Sequence, residues 1–394
     1  GDRSLILFGQ ALFREDHPSK ARDSFQSMID RFPNSKLVSQ VQIAVARTHE
    51  HERNWSAAAD QLVNWARRFP GDPLLPDVEY ERAWLTYQSG NPDQAFQLYT
   101  NFIHHFPTHT NAPLAEKWVG DYYSNQGKYV KAQERYQLLY ENPKWDGTRL
   151  KYESHLAAGQ AALAGKRISE ATNTFIELLN NPKLPKDIEP EVLFALGDSF
   201  SLLEDHGQAI NAFSRITAGP QNRLSAYALG RIGDSHFQLS AKDPTRLQKA
   251  ADAYKQAIQL PKAEAPARTL AEYGLAQVLE EQKGKKNHLN EAVTHYSNIL
   301  YRKNLHPHEP VSFNVIRDAG YAIARIQESR GAFGEAIKVY ERITTIFPSL
   351  GPILKLRIER AQKLAAARVH RNSSPPLTGK EPPISLSPGN GNGN

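Results

Sequence analysis

"WVGDYYSNQGKYVKAQERYQLLYENP", residues 118–143, decides the fold. Gly120 precedes Ala132 by twelve positions, Tyr136 follows Ala132 by four, and Leu139 follows it by seven. Small, large, large at 0, +4 and +7 lies on one face of an α-helix. Gly127-Lys128 marks a turn, and Pro143 closes the second run, because proline cannot continue a helix and drives the residue before it out of the α region. The stretch reads as two antiparallel helices. A small residue on the first lets the second come close, and the ring fills the wedge beside it.

The same figure recurs along the chain. Ala followed four residues later by a ring appears as Ala21/Phe25, Ala95/Tyr99, Ala132/Tyr136, Ala171/Phe175, Ala209/Phe213, Ala250/Tyr254, Ala292/Tyr296 and Ala336/Tyr340, with Ala58 followed by Leu62. Upstream of each stands Gly9, Ala46, Ala83, Gly120, Gly159, Gly197, Gly233, Gly274 or Ala324. The separation is twelve positions in seven units. It is longer from Gly233 to Ala250 and from Gly274 to Ala292, where the polar inserts 240–248 and 281–290 intervene. Phe32-Pro33, Phe69-Pro70 and Phe106-Pro107 recur at one fixed interval and end second helices. One hairpin cannot bury its apolar face alone, so the units must stack.

This pattern resembles the tetratricopeptide repeat, W-x2-L-G-x2-Y…A-x3-F…P. The match is carried by Gly120, Tyr123, Ala132, Tyr136 and Pro143 and again by Leu196, Gly197, Phe200, Ala209 and Phe213. It implies an all-α, right-handed helical-hairpin solenoid of about nine repeats plus a C-terminal capping helix over residues 1–371. The family's usual repeat is about 34 residues long. Ala-to-Ala spacing here is longer throughout, from the step between Ala21 and Ala58 up to that between Ala292 and Ala336. Long repeats with Phe-Pro ends are similar to those of a bacterial outer-membrane assembly lipoprotein and of the Tol-Pal-associated periplasmic protein. That likeness implies a protein–protein interaction scaffold in a bacterial cell-envelope complex, periplasmic or outer-membrane associated. The alternatives are a cytosolic regulator that senses a peptide or small ligand, and a helical module of a cell-wall lytic enzyme.

Composition narrows the classes. A net charge of +6 over 394 residues, without a Lys/Arg run, argues against nucleic-acid binding. No apolar run approaches the roughly 18 residues of a membrane span, so no transmembrane helix is expected. With no Cys there is neither a disulfide nor a thiolate metal site. The chain starts at Gly1, and a signal or a lipidated residue upstream would give peripheral membrane association. His49/His51, His104/His105/His109 and His306/His308 lack the spacing of a shared metal helix. No Gly-x-Ser-x-Gly elbow and no Walker-type loop is present. The expectation is a non-enzyme with no cofactor and no metal.

In the family the residue after the small Gly/Ala looks into the groove. Here those residues include Arg47, Trp84, Asp121, Gln160, Asp198 and Asp234, with Tyr80 and Tyr123 as aromatic neighbours. Aromatic groups flanked by charge suit an extended peptide or a partner helix. The competing reading is that each Asp after Gly is structural, and that Trp84 packs between units. The first-helix pairs Ile6/Gln10, Ile43/Arg47, Tyr80/Trp84 and Lys117/Asp121 hold no Lys/Asn pair, which argues against a clamp for a C-terminal carboxylate. After Pro348, Leu354, Ile358, Ala361 and Ala365 recur at helical spacing among Lys355, Arg357, Arg360, Lys363 and Arg368. This reads as a capping helix, with a basic amphipathic membrane-docking helix as the alternative. Residues 372–394 are rich in Pro, Ser, Gly and Asn and are expected to be disordered.

Overall fold

The structure, a computed structural model, describes residues 1–282, 287–310 and 312–373, with backbone alone for 369–373. Of the expected disordered tail, 372–394, Asn372 and Ser373 instead continue the last helix, because helical backbone started at Gly351 meets no proline stop before the Pro pair at 375–376, and 374–394 lie outside the described residues, as does part of the 281–290 insert. The described chain is all-α. It forms two compact units, 1–220 and 221 onward.

In the first unit the helices pair as α1 (Asp2–Arg14) with α2 (Pro18–Arg31), α3 (Val38–His51) with α4 (Trp55–Arg68), α5 (Leu75–Gln88) with α6 (Pro92–His105), α7 (Ala112–Asn125) with α8 (Tyr129–Tyr140), α9 (Arg149–Ala164) with α10 (Ile168–Leu179), and α11 (Glu189–Leu202) with α12 (His206–Ala218). In the second, α13 (Ser225–Leu239) pairs with α14 (Arg246–Gln259), α15 (Ala265–Glu281) with α16 (His288–Leu300), and α17 (Phe313–Ser329) with α18 (Phe333–Ile346); α19 (Gly351–Ser373) follows. Within each unit, every helix packs on its neighbours in sequence.

The small-residue figure is the joint of each hairpin. A β-carbon on Gly9 would lie 2.5 Å from Phe25, one on Gly120 2.6 Å from Tyr136, one on Gly159 2.3 Å from Phe175 and one on Gly197 2.6 Å from Phe213. These rings are buried. Full burial of such a side chain contributes about 1.5–3 kcal/mol. The next first helix closes the far side: Val38, Val41 and Val45 of α3 pack on Phe25 and Met28, and Ala112, Ala115 and Val119 of α7 on Tyr99 and Phe102. Trp65, also buried, donates its indole N–H to the Ser39 carbonyl at 2.8 Å.

Phe32, Phe69, Phe106 and Phe347, each followed by Pro, all sit at the C-cap of a second helix with ψ of 56°, 59°, 52° and 76°. The proline thus ends the helix where the sequence placed the stop. Among the described residues, the turn inside seven of the hairpins takes a left-handed residue. Glycine serves at Gly90, Gly127 and Gly331, but Asp16, Arg53, Lys166 and Glu204 adopt φ of 63°, 57°, 61° and 60° in the same place.

One unit departs from the expected register. Sequence spacing sets Gly274 opposite Tyr296, yet its nearest neighbours are ring atoms of Tyr254, 2.5 Å from where its β-carbon would be. Tyr254 therefore lies between Gly233 and Gly274. Ala276, two positions on, is fully buried in the same core as Tyr296. Tyr296 donates to Glu280, four residues after Ala276, as Tyr340 donates to Glu328, four after Ala324. Across the 240–248 insert Gly233 still meets the ring of its own hairpin, whereas across 281–290 Gly274 has the preceding hairpin's Tyr254 nearest, so the length of an insert does not by itself tell which ring a small residue meets.

Candidate partner-binding site

The first helices of successive hairpins line three clefts. The N-terminal one is bordered by Gln10 of α1, Arg47 and Glu50 of α3, and Tyr80, Glu81 and Trp84 of α5. Trp84 meets Trp55 edge-on at 5.6 Å, and Tyr80 meets Tyr99 at 5.5 Å, so each ring both packs and lines the cleft. Burial pushes the Glu81 carboxyl above its ordinary value, Glu50 and Asp77 add to this, and Arg47 opposes it.

The central cleft, about 950 Å³, runs over α5, α7, α9 and α11. Its aromatic wall is Tyr87 against Trp118 at 5.4 Å and Trp118 stacked with Tyr122 at 5.8 Å. Tyr122 also stacks on Phe96 at 4.5 Å and donates its hydroxyl to Asp93 at 2.6 Å. Its polar side carries Asp121, Glu153, Gln160 and Glu191. Asp121 is held by Lys117 at 3.0 Å and accepts the Tyr136 hydroxyl at 2.8 Å. Burial, then this carboxylate, raises the Tyr136 pKa.

The C-terminal cleft, within the second unit, is lined by Tyr273 and Glu280 of α15, Tyr321, Arg325 and Glu328 of α17, and Arg357 of α19. Glu280 pairs with Arg325 at 2.5 Å and accepts from Tyr296 at 2.6 Å.

Of the residues selected from sequence, Arg47, Tyr80 and Trp84 meet in the N-terminal cleft, and Asp121 and Gln160 in the central one. Tyr123 turns to the packing side, edge-on to Phe96 at 5.3 Å with the Lys131 ammonium 5.7 Å from its ring centre. Asp198 is half-buried on α11. Asp234, on α13, accepts from Tyr254 at 2.7 Å. Asp121 and Asp234 share one reason for following Gly. The ring that slides under the glycine carries its hydroxyl to the next side chain. Sequence reasoning missed Tyr87, Trp118, Tyr122 and the C-terminal cleft. Tyr321 was legible, since it precedes Ala324 by three as Tyr80 precedes Ala83. Among the described residues no group of three or more His, Asp or Glu is placed to hold a metal ion.

A model of the tetratricopeptide repeat family matches residues 4–35, the first hairpin. No curated protein matches the chain. Similar solved structures include a tetratricopeptide repeat protein from Parabacteroides merdae, 13% identical with a TM-score of 0.44, covering 70% of this chain and 98% of that one. The C-terminal part of a TPR repeat-containing protein from Cytophaga hutchinsonii is 13% identical with a TM-score of 0.43, covering 73% and 98%. A putative kinesin light chain from Podospora anserina with TPR-like repeats is 12% identical with a TM-score of 0.37, covering 45% and 92%. The first hairpin is thus similar to a tetratricopeptide repeat, and the hairpins after it keep the same pairing of a small residue with a large one.

Proposed function

We propose that the protein is a tetratricopeptide-type, non-catalytic scaffold that holds a protein partner, as an extended peptide or a helix, against its first helices. The observation that carries this reading is the aromatic wall of Tyr87, Trp118 and Tyr122 facing Gln160 and Glu191 across the central cleft. Flat rings held by their neighbours offer contact area at little ordering cost, and the rim groups fix orientation. Asp121 and Asp234 serve the fold first, because each already accepts a tyrosine hydroxyl.

The test is a photo-crosslinking residue at Gln160 in native cells, with captured proteins identified by mass spectrometry and rebound in purified form. Glu191 is exposed, so Glu191→Lys should keep the helical spectrum and weaken rebinding at least fivefold. Rebinding unaffected by both Glu191→Lys and Trp118→Ala would remove the central cleft as the site. The setting we propose, a bacterial cell-envelope complex, is supported by the likeness of the long Phe-Pro-ended repeats. Recovery of the tagged protein in the soluble cytosolic fraction would count against that setting.

A further inference from the structure

A helix that ends a stack of hairpins is expected to show water a polar outer face. α19 does so only in part. Leu354 and Ala361 are buried and Ile358 packs with them, on the side that meets α18. Away from that side stand Ile353, Leu356 and Leu364, exposed by 57%, 68% and 42%. Their spacing puts them on one stripe roughly 16 Å long. Arg360 lies within the stripe, and Arg357 and Lys363 flank it. From Gly351 to Arg368 there are five cations, Lys355, Arg357, Arg360, Lys363 and Arg368, against one acid, Glu359. Among the described residues Lys355, Arg357, Arg360 and Lys363 have no carboxylate in ion-pair reach.

The stripe borders the C-terminal cleft. Arg357 lines that cleft, with its guanidinium 5.2 Å from the centre of the Tyr321 ring. The four acids of that cleft lie on α15 and α17, where Glu280 holds Arg325 and Tyr296, Asp318 holds Arg317, Glu328 accepts from Tyr340 at 3.0 Å and Glu281 is exposed, so the positive excess belongs to the stripe on α19 and not to the cleft. We propose that this face docks an acidic amphipathic segment of a protein partner. Its aliphatic side chains cover Ile353, Leu356 and Leu364, and its carboxylates meet Arg357, Arg360 and Lys363. The inference rests on the reading of the first-helix face as a protein-binding surface.

Charge selects the occupant. α19 of a second copy would bring like charge to like charge, and α1, the other outer helix, has Asp2 against Arg3 and Arg14 and so no acidic excess. A flat anionic bilayer broad enough to cover α19 would also meet the acidic cleft beside it, whereas a single helix, about 10–12 Å across, covers the stripe alone.

The test uses the full chain and a synthetic peptide of about five helical turns, with Leu on one helical face and Glu on the other, read by fluorescence anisotropy. A scrambled peptide of the same composition and vesicles of phosphatidylserine and phosphatidylcholine serve as comparisons. The amphipathic peptide should bind at least tenfold tighter than the scrambled one, more weakly as salt rises. Arg360→Glu with Lys363→Glu should weaken it at least tenfold, and Leu356→Ser about threefold, both with an unchanged helical spectrum because these residues are exposed. Equal binding of the two peptides, or indifference to the charge reversal, overturns the proposal. So does sedimentation with vesicles in the absence of peptide binding, which would make the face a lipid surface. Crosslinking at Gln160 reads the first unit separately. Capture there alongside a failed peptide test leaves the scaffold reading standing, and failure of both removes it.

Discussion

Gly159 and Phe175 make the packing rule testable at single-residue scale. A methyl on Gly159 would stand 2.3 Å from the Phe175 ring, so Gly159→Ala forces the ring out of place at a cost of about 1–3 kcal/mol, partly offset by alanine's better helix propensity of about 1 kcal/mol. The second hairpin shows the compensated pair, Ala46 with Leu62, at the same separation along the chain. Phe175→Leu in the Gly159→Ala background should therefore recover stability, with a coupling of roughly 1 kcal/mol or more. Simple additivity in urea titrations would show that the two side chains do not share this joint. A second residue, His155, ties stability to pH. Burial, with the Lys151 charge next, pushes its pKa down to about 4, and it stacks on Tyr140 with ring centres 4.2 Å apart. Above about pH 6.5 it is neutral in both folded and unfolded chains. As pH falls from there towards 4, the unfolded chain takes a proton that the fold resists, and stability drops by up to about 3 kcal/mol. His155→Phe should keep the stack and reduce the loss measured between pH 7 and 4.5 by about 2 kcal/mol. An unaltered loss in the variant would assign it to other groups.

The hairpin turn is the unit of prediction at the scale of the element. Lys166 is exposed and held at φ 61°, where Gly127 serves in the preceding hairpin at φ 70°. A side chain in that region costs about 1–2 kcal/mol, of which glycine's greater freedom in the unfolded chain takes back a part. Lys166→Gly should raise stability by about 0.5–1 kcal/mol, seen as a higher urea midpoint at unchanged slope. A lower midpoint would mean that the Lys166 backbone is not strained. The same turns show how far elements could be read from sequence. Helix ends were legible at Phe-Pro because proline acts on its immediate neighbour. The left-handed residues at Asp16, Arg53, Lys166 and Glu204 were not, because their conformation is imposed by the two helices that the turn must join. α19 was legible as a cap from Leu354, Ile358, Ala361 and Ala365, but exposure of Ile353, Leu356 and Leu364 depends on what does not cover them.

At the scale of the molecule, contacts within each unit reach from a helix to its neighbours along the chain and seldom farther. Stability in such a stack is a sum of hairpins and their joints. Phe25→Ala should cost about 3–5 kcal/mol locally. Hydrogen exchange should quicken through α1 to α4 and leave α11, Glu189–Leu202 of the same unit, near its native protection. Equal acceleration in α11 would show all-or-none behaviour in the first unit and would overturn the local picture.

What the sequence determined by itself was the hairpin: its helical faces, its small-residue joints, its proline stops and the all-α stack they require. Each of these follows from spacing of a few residues along one helix or across one short turn, where geometry is nearly fixed by the backbone. Tertiary structure alone decided which ring a small residue meets across a long insert, Gly233 having Tyr254 of its own hairpin and Gly274 the same Tyr254 of the preceding one, because the length of an insert does not fix the phase of the helix after it. It also decided which aromatic side chains face a cleft. Trp118 and Tyr122 line one and Tyr123 packs the core, although all three lie close together on one helix. The roughly 100° step of the helix separates such neighbours by face, and only the positions of the adjoining helices settle which face is covered.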